Sequence, residues 1–302
     1  MNQLLRNYDV YLPCPCGSGK KGKFCCWISS GKWHKKKSHF LLPARPAENA
    51  VDRCYLKSTL DCGGNISREH YISEGVLKQL NENNVLQADG LLWIDGTANL
   101  PTSAFTSKIL CEKHNSLLSM FDDTAIKFFK LLTEFENAFK DPHAVPKSEV
   151  YLFAGEDIER WMLKTLIGFV VSGNTSKDRQ PLPKTIDESW IPILLGQKDF
   201  EDRVGLHYKI TKDKKIVYEN SFAFLPYSSE KDGNVKAAQF SLKGWDFEFM
   251  MIPTLGLDPN VIYRPRSIIL RNSIMEKIIE LSWDDPKYES VLIFDRVGQT
   301  AQ

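Results

Sequence analysis

Apolar residues recur with helical spacing in the middle of the chain. From residue 123 onward, four large apolar side chains follow one another at steps of four, three and four residues: Phe128, Leu132, Phe135 and Phe139. Side chains at this spacing share one face of a helix. Residues 156–171 show a similar pattern around Trp161. The sequence therefore predicts two amphipathic helices, one after the other.

After residue 204 the pattern becomes typical of strands. Short runs rich in β-branched and aromatic residues alternate with charged or glycine-containing turns: 204–210, 216–226, 235–242, 245–252 and 261–270. Lys212–Lys214 and Lys243-Gly244 separate two pairs of these runs and predict two hairpins. A short helix is predicted over residues 274–281. The chain is thus predicted to be of the α+β class, with an antiparallel sheet and helices in its C-terminal half.

Composition excludes several classes of protein. The chain has 302 residues, 42% of them apolar and 25% charged, so a disordered chain is excluded. The most apolar run, residues 161–171, contains Lys164 and is shorter than the roughly 20 residues that cross a bilayer. Residues 1–10 lack the apolar core of a secretory signal, so we expect a cytoplasmic protein. Its seven cysteines then indicate metal binding or packing rather than disulfides.

Charge is distributed unevenly along the chain. Residues 1–46 contain nine basic side chains and one acid, Asp9, although the net charge of the whole chain is only +1. Such an arm attracts polyanions, because each phosphate that is neutralised releases counterions. Lys35, Lys36 and Lys37 are the predicted nucleic-acid contacts. The alternative is a solvated tail. Trp27 and Trp33 lie among these lysines, where they can stack on bases or pack the preceding cysteine cluster.

The first 30 residues hold a compact group of cysteines. Four thiols lie within 13 residues, with three glycines between them: Cys14, Cys16, Cys25 and Cys26. Four thiolates suit one tetrahedral zinc ion, and a segment this short has no apolar core of its own. The motif resembles the SEC-C zinc motif, which occurs at the tail of the preprotein translocase ATPase and on many bacterial proteins. That resemblance implies zinc and a small docking or binding module. The alternative is inert buried thiols.

The remaining cysteines predict a second zinc site. Three thiols need one more ligand to close a tetrahedral site, and the Cys-x-x-His spacing after Cys111 supplies it. The predicted ligands are Cys54, Cys62, Cys111 and His114. Seven cysteines and one histidine then form two complete sites. Seven residues separate Cys54 from Cys62, which is a wider gap than zinc ligands usually show.

An acid-histidine pair lies between the two halves of this second site. Glu69-His70 precedes Cys111, and Asn115 follows His114 at the start of a predicted helix. Over residues 50–125 the chain resembles the HNH (His-Me finger) endonucleases, whose zinc-bearing members hold a ββα unit between paired ligands. The resemblance assigns Glu69-His70 to the acid-His pair of that motif and Asn115 to the Asn on its helix. It also implies DNA as the substrate, with defence against foreign DNA as a setting.

The residue chemistry agrees with hydrolysis of phosphodiester bonds. His70 is suited to take a proton from water, because its ordinary pKa of about 6.5 leaves it neutral near pH 7. Glu69 and the amide oxygen of Asn115 are hard donors for a catalytic Mg²⁺ or Mn²⁺. Arg68 is predicted to contact phosphate. A third ligand for the catalytic ion is unassigned: Ser119 follows Asn115 by one helical turn and Asp122 by two.

The sequence thus predicts three consecutive parts. They are a basic arm with a zinc knuckle (1–46), a zinc-stabilised HNH-like ββα module with the following helix (47–140), and an α+β part of unknown role (141–302). The predicted function is a metal-dependent endonuclease that cleaves DNA, with two structural zinc ions. Two alternatives are open: a scaffold that binds nucleic acid without cutting it, and a docking protein whose knuckle or C-terminal part binds a protein partner.

Overall fold

The structure is a computed structural model of the chain. It describes residues 3–29, 31–40, 48–80, 85–88, 98–141, 143, 145, 147–177, 180–209, 222–242, 244–253, 260–285 and 287–295. The chain forms two compact units, each assembled from separate stretches of sequence. Unit 1 comprises residues 1–38, 127–158 and 262–302, and unit 2 comprises residues 39–126 and 159–261. These units interleave along the chain, whereas the predicted parts are consecutive.

The described elements mix helices and strands. The α-helices are α1 (Gln3–Arg6), α2 (Glu74–Lys78), α3 (Glu112–Lys140), α4 (Gly155–Ser172) and α5 (Trp190–Leu194). Three short 3-10 helices cover Gly22–Phe24, Lys57–Thr59 and Thr102–Phe105. The first nine strands are β1 (Trp27–Ser29), β2 (Lys32–Trp33), β3 (Ile66–His70), β4 (Val85–Ala88), β5 (Ala98–Pro101), β6 (Thr106–Cys111), β7 (Glu149–Ala154), β8 (Ser176–Lys177) and β9 (Gln180–Pro181). The others are β10 (Gly205–Lys209), β11 (Phe222–Ser228), β12 (Val235–Leu242), β13 (Trp245–Met250), β14 (Val261–Tyr263), β15 (Ser267–Arg271), β16 (Glu276–Ser282) and β17 (Val291–Asp295).

Unit 1 is organised around a four-stranded sheet in the order β17-β15-β16-β7. Strands β15 and β16 are antiparallel, while β17 and β7 each pair in parallel with their neighbour. The N-terminal segment packs on this sheet in one apolar cluster: Leu5, Cys14, Cys26, Trp33, Val150, Leu152, Ile269 and Ile278. A backbone hydrogen bond from Leu152 to the Pro15 carbonyl, 3.1 Å long, joins the first cysteine loop to β7. The N-terminal segment is therefore part of a core and not a tail.

Unit 2 contains the strand pair and the helix start that carry the predicted site. Strands β3 and β6 are antiparallel, with Ile66 opposite Cys111 and His70 opposite Thr106. The chain passes from Cys111 directly into α3 at Glu112. Between β3 and β6 it forms α2 and the antiparallel pair β4-β5. The arrangement is two paired strands followed by a helix, with an insertion between the strands.

The rest of unit 2 is a mainly antiparallel sheet in the order β11-β12-β13-β10-β14, whose edge strand β14 begins at the last residue of the unit. The part of α4 in this unit is almost entirely buried, including Trp161. Trp161 lies 6.0 Å from Phe240 of β12, measured between ring centroids. The aromatic side chains of the sheet therefore pack against this helix.

Several predicted elements are confirmed. The described chain is mixed α and β, as predicted. Helix α4 matches residues 156–171 within one residue at each end, and α3 extends the predicted helix back to Glu112. Strands β12 and β13 form the hairpin that Lys243-Gly244 predicted. No helix of the described residues is long and apolar enough to cross a membrane.

Three predicted elements are wrong. The helix predicted over residues 274–281 is wrong, since Glu276–Ser282 form β16. A strand between β15 and β7 is buried on both faces and loses its period-2 signal. Strand β10 pairs with β13 and not with β11, and Lys212–Lys214 lies outside the described residues. Residues 261–270 form two strands in different sheets, since Arg264 has a φ of 46° and Pro265 lacks a backbone N–H.

Candidate metal centres and active site

The second cysteine cluster is assembled around the start of α3. The backbone N–H groups of Glu112 and Lys113 donate to the carbonyls of Asn65 and Gly63, each at 3.0 Å. These bonds place the loop after Cys62 against the first turn of the helix, whose N–H groups would otherwise lack partners. Gly64 has a φ of 72°, and a Cβ there would come within 2.2 Å of the Glu112 side chain. Only glycine fits this close approach.

All four predicted ligands of the second site come together. The three thiol sulfurs of Cys54, Cys62 and Cys111 lie 3.4, 3.8 and 3.3 Å from Nδ1 of His114. In a tetrahedral zinc site, with bonds of about 2.3 Å to sulfur and 2.0–2.1 Å to nitrogen, a sulfur and a nitrogen ligand lie about 3.6 Å apart. The four ligand atoms thus already have the spacing of a closed tetrahedral site, and all four residues are buried.

The hydrogen bonds of Thr59 identify the ligating nitrogen of His114. The Thr59 hydroxyl donates to the Leu56 carbonyl at 2.8 Å, so its oxygen accepts from Nε2–H of His114 at 3.3 Å. The proton on Nε2 leaves the lone pair on Nδ1, which faces the thiols. Burial lowers the pKa of His114, which favours the neutral ring that binds metal. Such outer contacts orient a ligand and fix its tautomer.

The first cysteine cluster also brings its four ligands together. Cys16 lies 3.5 Å from Cys25, and Cys25 lies 3.7 Å from Cys26, between sulfurs. Two sulfurs of a tetrahedral zinc site lie about 3.8 Å apart. Gly17 and Gly19 have φ values of 72° and 74°, which let the loop reverse between its first and second pairs of thiols. Cys25 is exposed, whereas Cys14 and Cys26 are buried.

Each cluster can therefore hold a metal ion. In both, the four ligand atoms lie within 4.8 Å of one another. Thiolate and imidazole ligands in tetrahedral spacing are consistent with structural zinc, and a Cys₃His or Cys₄ set leaves no position for a substrate or water. Among the described residues, no other group of three or more histidine, cysteine or acidic side chains shares this proximity.

His70 and Glu69 lie at the end of β3 and differ sharply in environment. Neighbouring residues of a strand point to opposite faces. Glu69 is buried, with 5% of its surface exposed, and His70 is half-buried. The Nε2 atom of His70 is itself buried, and no group in the described part of the chain hydrogen-bonds to it. Burial lowers the pKa of His70, although Glu74 and Asp122 oppose this shift, so the ring is held neutral.

The structure pairs Glu69 with Lys164 of α4. The Nζ atom of Lys164 lies 2.6 Å from Oε1 of Glu69 and 2.5 Å from Oδ2 of Asp122. The other carboxylate oxygen of Asp122 accepts from the Ser73 hydroxyl at 2.5 Å, and Ser73 in turn accepts from the Trp161 indole at 2.7 Å. One buried ammonium therefore joins the strand of His70 to α3 and α4.

This network carries one excess negative charge, since one lysine faces two carboxylates. Burial lowers the pKa of Lys164, but the two carboxylates more than offset it, so its pKa lies above the ordinary value. Burial raises the pKa of Glu69 against the opposing effect of Lys164. The Tyr55 hydroxyl is buried, has no hydrogen-bond partner among the described residues, and has a pKa raised by burial, then by Glu69.

The other predicted site residues are placed as follows. Asn115 is half-buried, and its amide N–H donates to the Ser67 hydroxyl at 3.1 Å, which joins α3 to β3. Arg68 is exposed beside Glu69. Lys37 is mostly buried and forms an ion pair with Asp284 at 2.8 Å. The backbone of Lys35 exchanges two hydrogen bonds with the Ser282 hydroxyl. Lys36 is the exposed member of this run.

Sequence reasoning missed the role of Lys164. It treated this lysine only as a charge that interrupts an apolar run. A single cation inside an otherwise apolar helix is itself a signal, because a buried ammonium requires a carboxylate partner. The sequence places Asp122 two helical turns after Asn115, but it does not show that Asp122 shares Lys164 with Glu69.

No known protein family, curated protein or solved structure matches the chain.

Proposed function

We propose that unit 2 is a zinc-stabilised, metal-dependent endonuclease that hydrolyses phosphodiester bonds of DNA, with His70 as the general base. The observation that carries the proposal is the position of His70. It lies at the end of a strand whose partner strand and following helix carry Cys111 and His114 of the Cys₃His cluster, and its Nε2 has no partner in the described chain. Paired strands followed by a helix are also the unit that the HNH resemblance implies.

The surroundings of His70 support proton abstraction from water. A neutral imidazole accepts the proton, and a positive ring then forms beside a network with one excess negative charge. That charge stabilises the imidazolium relative to the neutral ring, which is the contribution a general base needs in the transition state. Arg68, exposed on the same strand, is the proposed phosphate contact.

The metal ions have separate roles in this proposal. The Cys₃His and Cys₄ clusters hold zinc as structural ions, since neither has an open position. A catalytic Mg²⁺ or Mn²⁺ would supply a Lewis acid for the phosphate oxygens and the leaving group. Asn115 and Glu69 are its proposed ligands. The Lys164 ion pair uses Oε1 of Glu69, so this carboxylate has to share its charge between the lysine and the divalent ion.

The same ion pair favours a second candidate function. A glutamate that is committed to a buried lysine holds strands and helices together without any catalytic ion. Unit 2 would then be a scaffold that binds nucleic acid and does not cut it. The two candidates differ in whether His70 is needed for a chemical step.

A plasmid-nicking assay separates the two candidates. We expect the wild-type protein with Mg²⁺ or Mn²⁺ to relax supercoiled plasmid, and His70→Ala to lose activity by about 10²- to 10⁴-fold, the usual contribution of a general base. His143→Ala is the matched control, because His143 is an exposed histidine outside the site. Equal nicking by wild type and His70→Ala, at equal zinc content, excludes the base role. Absence of nicking with retained DNA binding supports the scaffold.

A further inference from the structure

The surface of the first cysteine cluster exposes large apolar side chains. Four such residues lie within a stretch of 18: Tyr11 (56% exposed), Leu12 (49%), Phe24 (72%) and Ile28 (60%). A phenylalanine exposed to this degree leaves most of its apolar surface in water, and contiguous exposed apolar side chains mark interaction surfaces. The aromatic residues predicted to stack on bases are elsewhere. Trp33 is buried with 6% exposed, and Trp27 is half-buried.

A lysine lies between the two exposed rings. The Nζ atom of Lys23 is 5.1 Å from the ring centroid of Tyr11 and 6.0 Å from that of Phe24. It also donates to the Tyr11 hydroxyl at 3.2 Å. The ring-ammonium-ring group, here called the knuckle clamp (Tyr11, Lys23 and Phe24), thus presents two π-faces around one positive charge.

The backbone beneath the knuckle clamp is tightly hydrogen-bonded. The N–H of Lys23 donates to the Val10 carbonyl at 2.8 Å, and that of Gly22 donates to the Leu12 carbonyl at 3.0 Å. Cys14 N–H donates to the Lys20 carbonyl at 2.7 Å. The two loops that carry the rings are therefore joined next to the cysteine ligands. Preorganised side chains lose less conformational entropy on binding.

The charge around the clamp is positive. Lys20 and Lys21 are exposed beside Lys23, and residues 10–47 contain no acidic residue. A zinc ion with four thiolates has a net formal charge of about −2. The three lysines more than balance that charge, so a basic surface remains when the ion is bound.

We propose that the knuckle clamp binds single-stranded DNA, with bases stacked on Phe24 and Tyr11 and phosphates on Lys20, Lys21 and Lys23. Stacking platforms combined with cationic side chains are the general means by which proteins hold single strands without reading sequence. The residues of this surface belong to unit 1, whereas His70 belongs to unit 2. It requires no cleavage chemistry.

The position of Lys23 favours nucleic acid over a lipid surface. Its ammonium lies between the rings and is hydrogen-bonded to Tyr11, so insertion of both rings into hydrocarbon would carry the charge with them at high cost. A stacked nucleotide uses the ring and the ammonium together, because each base is linked to its own phosphate. A duplex hides its base faces and offers only phosphates to this surface.

The test measures binding of fluorescein-labelled dT15 to the full-length, zinc-loaded protein by fluorescence anisotropy, without added Mg²⁺ or Mn²⁺. Phe24→Leu keeps an apolar side chain but removes the π-face, and we expect binding roughly ten- to a hundredfold weaker. Phe24→Trp should bind within about threefold of wild type, because the stacking face is retained. Ile293→Ala is the control, since Ile293 is an exposed apolar residue of β17.

The salt dependence tests the lysines. Replacing Lys20, Lys21 and Lys23 with Gln should lower the slope of log affinity against log salt by about two, because each single-strand phosphate contact contributes about 0.7. Lys130, Lys147 and Lys287 replaced with Gln form the control, since all three are exposed and unit 1 contains them. Zinc content of each variant verifies that the knuckle is intact.

Several outcomes would overturn the proposal. If Phe24→Leu binds dT15 as tightly as wild type, base stacking on Phe24 is excluded. If the two triple lysine variants show equal slopes of log affinity against log salt, phosphate contacts by Lys20, Lys21 and Lys23 are excluded. Tighter binding to a 15-base-pair duplex than to dT15 assigns the surface to double-stranded DNA. If Phe24→Leu weakens binding to phosphatidylglycerol vesicles but not to dT15, the surface is assigned to a lipid surface. Because no step depends on His70, dT15 binding by the clamp can be confirmed even when plasmid nicking is absent.

Discussion

His114 and Asn115 are neighbours in sequence, yet their side chains serve different parts of the site. His114 is fully buried among three thiols, whereas Asn115 is half-buried and donates to Ser67. Successive residues of a helix point about 100° apart, so one can close a metal site while the next faces the neighbouring strand. This separation allows structure and activity to be tested independently.

Substitution of these two residues should affect different properties of the protein. We expect His114→Ala to lose one zinc ion per chain and to lower the melting temperature, because it removes one of four ligands of a closed site. Asn115→Ala should retain both ions and lower the nicking rate. Zinc content by elemental analysis, melting temperature and nicking rate of both variants check this. Loss of zinc from Asn115→Ala would contradict the assignment.

Lys164 is the residue whose removal should cost most in stability. Lys164→Met leaves the buried Glu69 and the half-buried Asp122 without their cation, and breaking a buried ion pair typically costs about 3–5 kcal/mol. The loss should shrink as the pH falls from 7 towards 5. Burial already holds the pKa of Glu69 above its ordinary value. Without Lys164, the carboxylate therefore becomes protonated at a higher pH in the folded state than in the unfolded state, and this proton uptake offsets part of the lost stability.

Urea unfolding of both proteins at several pH values measures this effect. Lys164→Arg is the matched control, because it keeps the charge and should lose less stability than Lys164→Met. A penalty that is the same at pH 5 and pH 7 would show that the lost packing, and not the exposed carboxylate charge, accounts for the destabilisation.

At the scale of elements, the two cysteine clusters differ in exposure. Cys25 of the first cluster is exposed, while the ligands of the second are at most 2% exposed. A chelator or oxidant reaches a metal through its exposed ligands, so the two ions should leave at different rates. Both clusters have four ligands, but those of the second cluster are better shielded from solvent.

We expect zinc release in two phases when the protein is mixed with a chromogenic chelator. The fast phase should come from the first cluster, and Cys25→Ser should abolish it while leaving the slow phase. Cys62→Ser should do the reverse. Absorbance of the zinc-chelator complex over time gives both amplitudes. A single phase of two ions would contradict unequal protection.

Elements with one buried face were predictable from sequence, and the short strand buried on both faces was not. Helix α3 and the pair β12-β13 keep a clear period. Helix α4 was predicted although its part in unit 2 is almost entirely buried. Strand β16 is central in its sheet, so its apolar run had no period to show. Ligand identities followed from residue type and count, which are local properties. The Lys164 partners did not, because that contact joins residues 42 to 95 positions apart.

At the scale of the whole molecule, the N-terminal segment is part of a core, so deleting it is not a clean test of the basic arm. Leu5, Cys14 and Trp33 are buried in the same cluster as Ile269 and Ile278. Removing residues 1–38 would therefore expose the apolar face of β15 and β16. We expect such a truncation to lower the melting temperature or to aggregate, whereas the triple lysine variant stays folded. Circular dichroism melting of both proteins checks this. A truncated protein as stable as the full chain would contradict the shared core.

The interleaving of the two units has a consequence for synthesis on the ribosome. Residues 1–38 emerge before β15, β16 and β17, which complete their sheet. More than 200 residues of the chain are made between these two events. Until β7 emerges, the first cysteine cluster can gain order only from a bound metal ion, and its partners in β15 and β16 are absent for the whole interval. Early zinc uptake would thus keep Leu5 and Trp33 next to the folded first cysteine cluster until the sheet is complete. We therefore expect zinc limitation during growth to lower the yield of soluble chain.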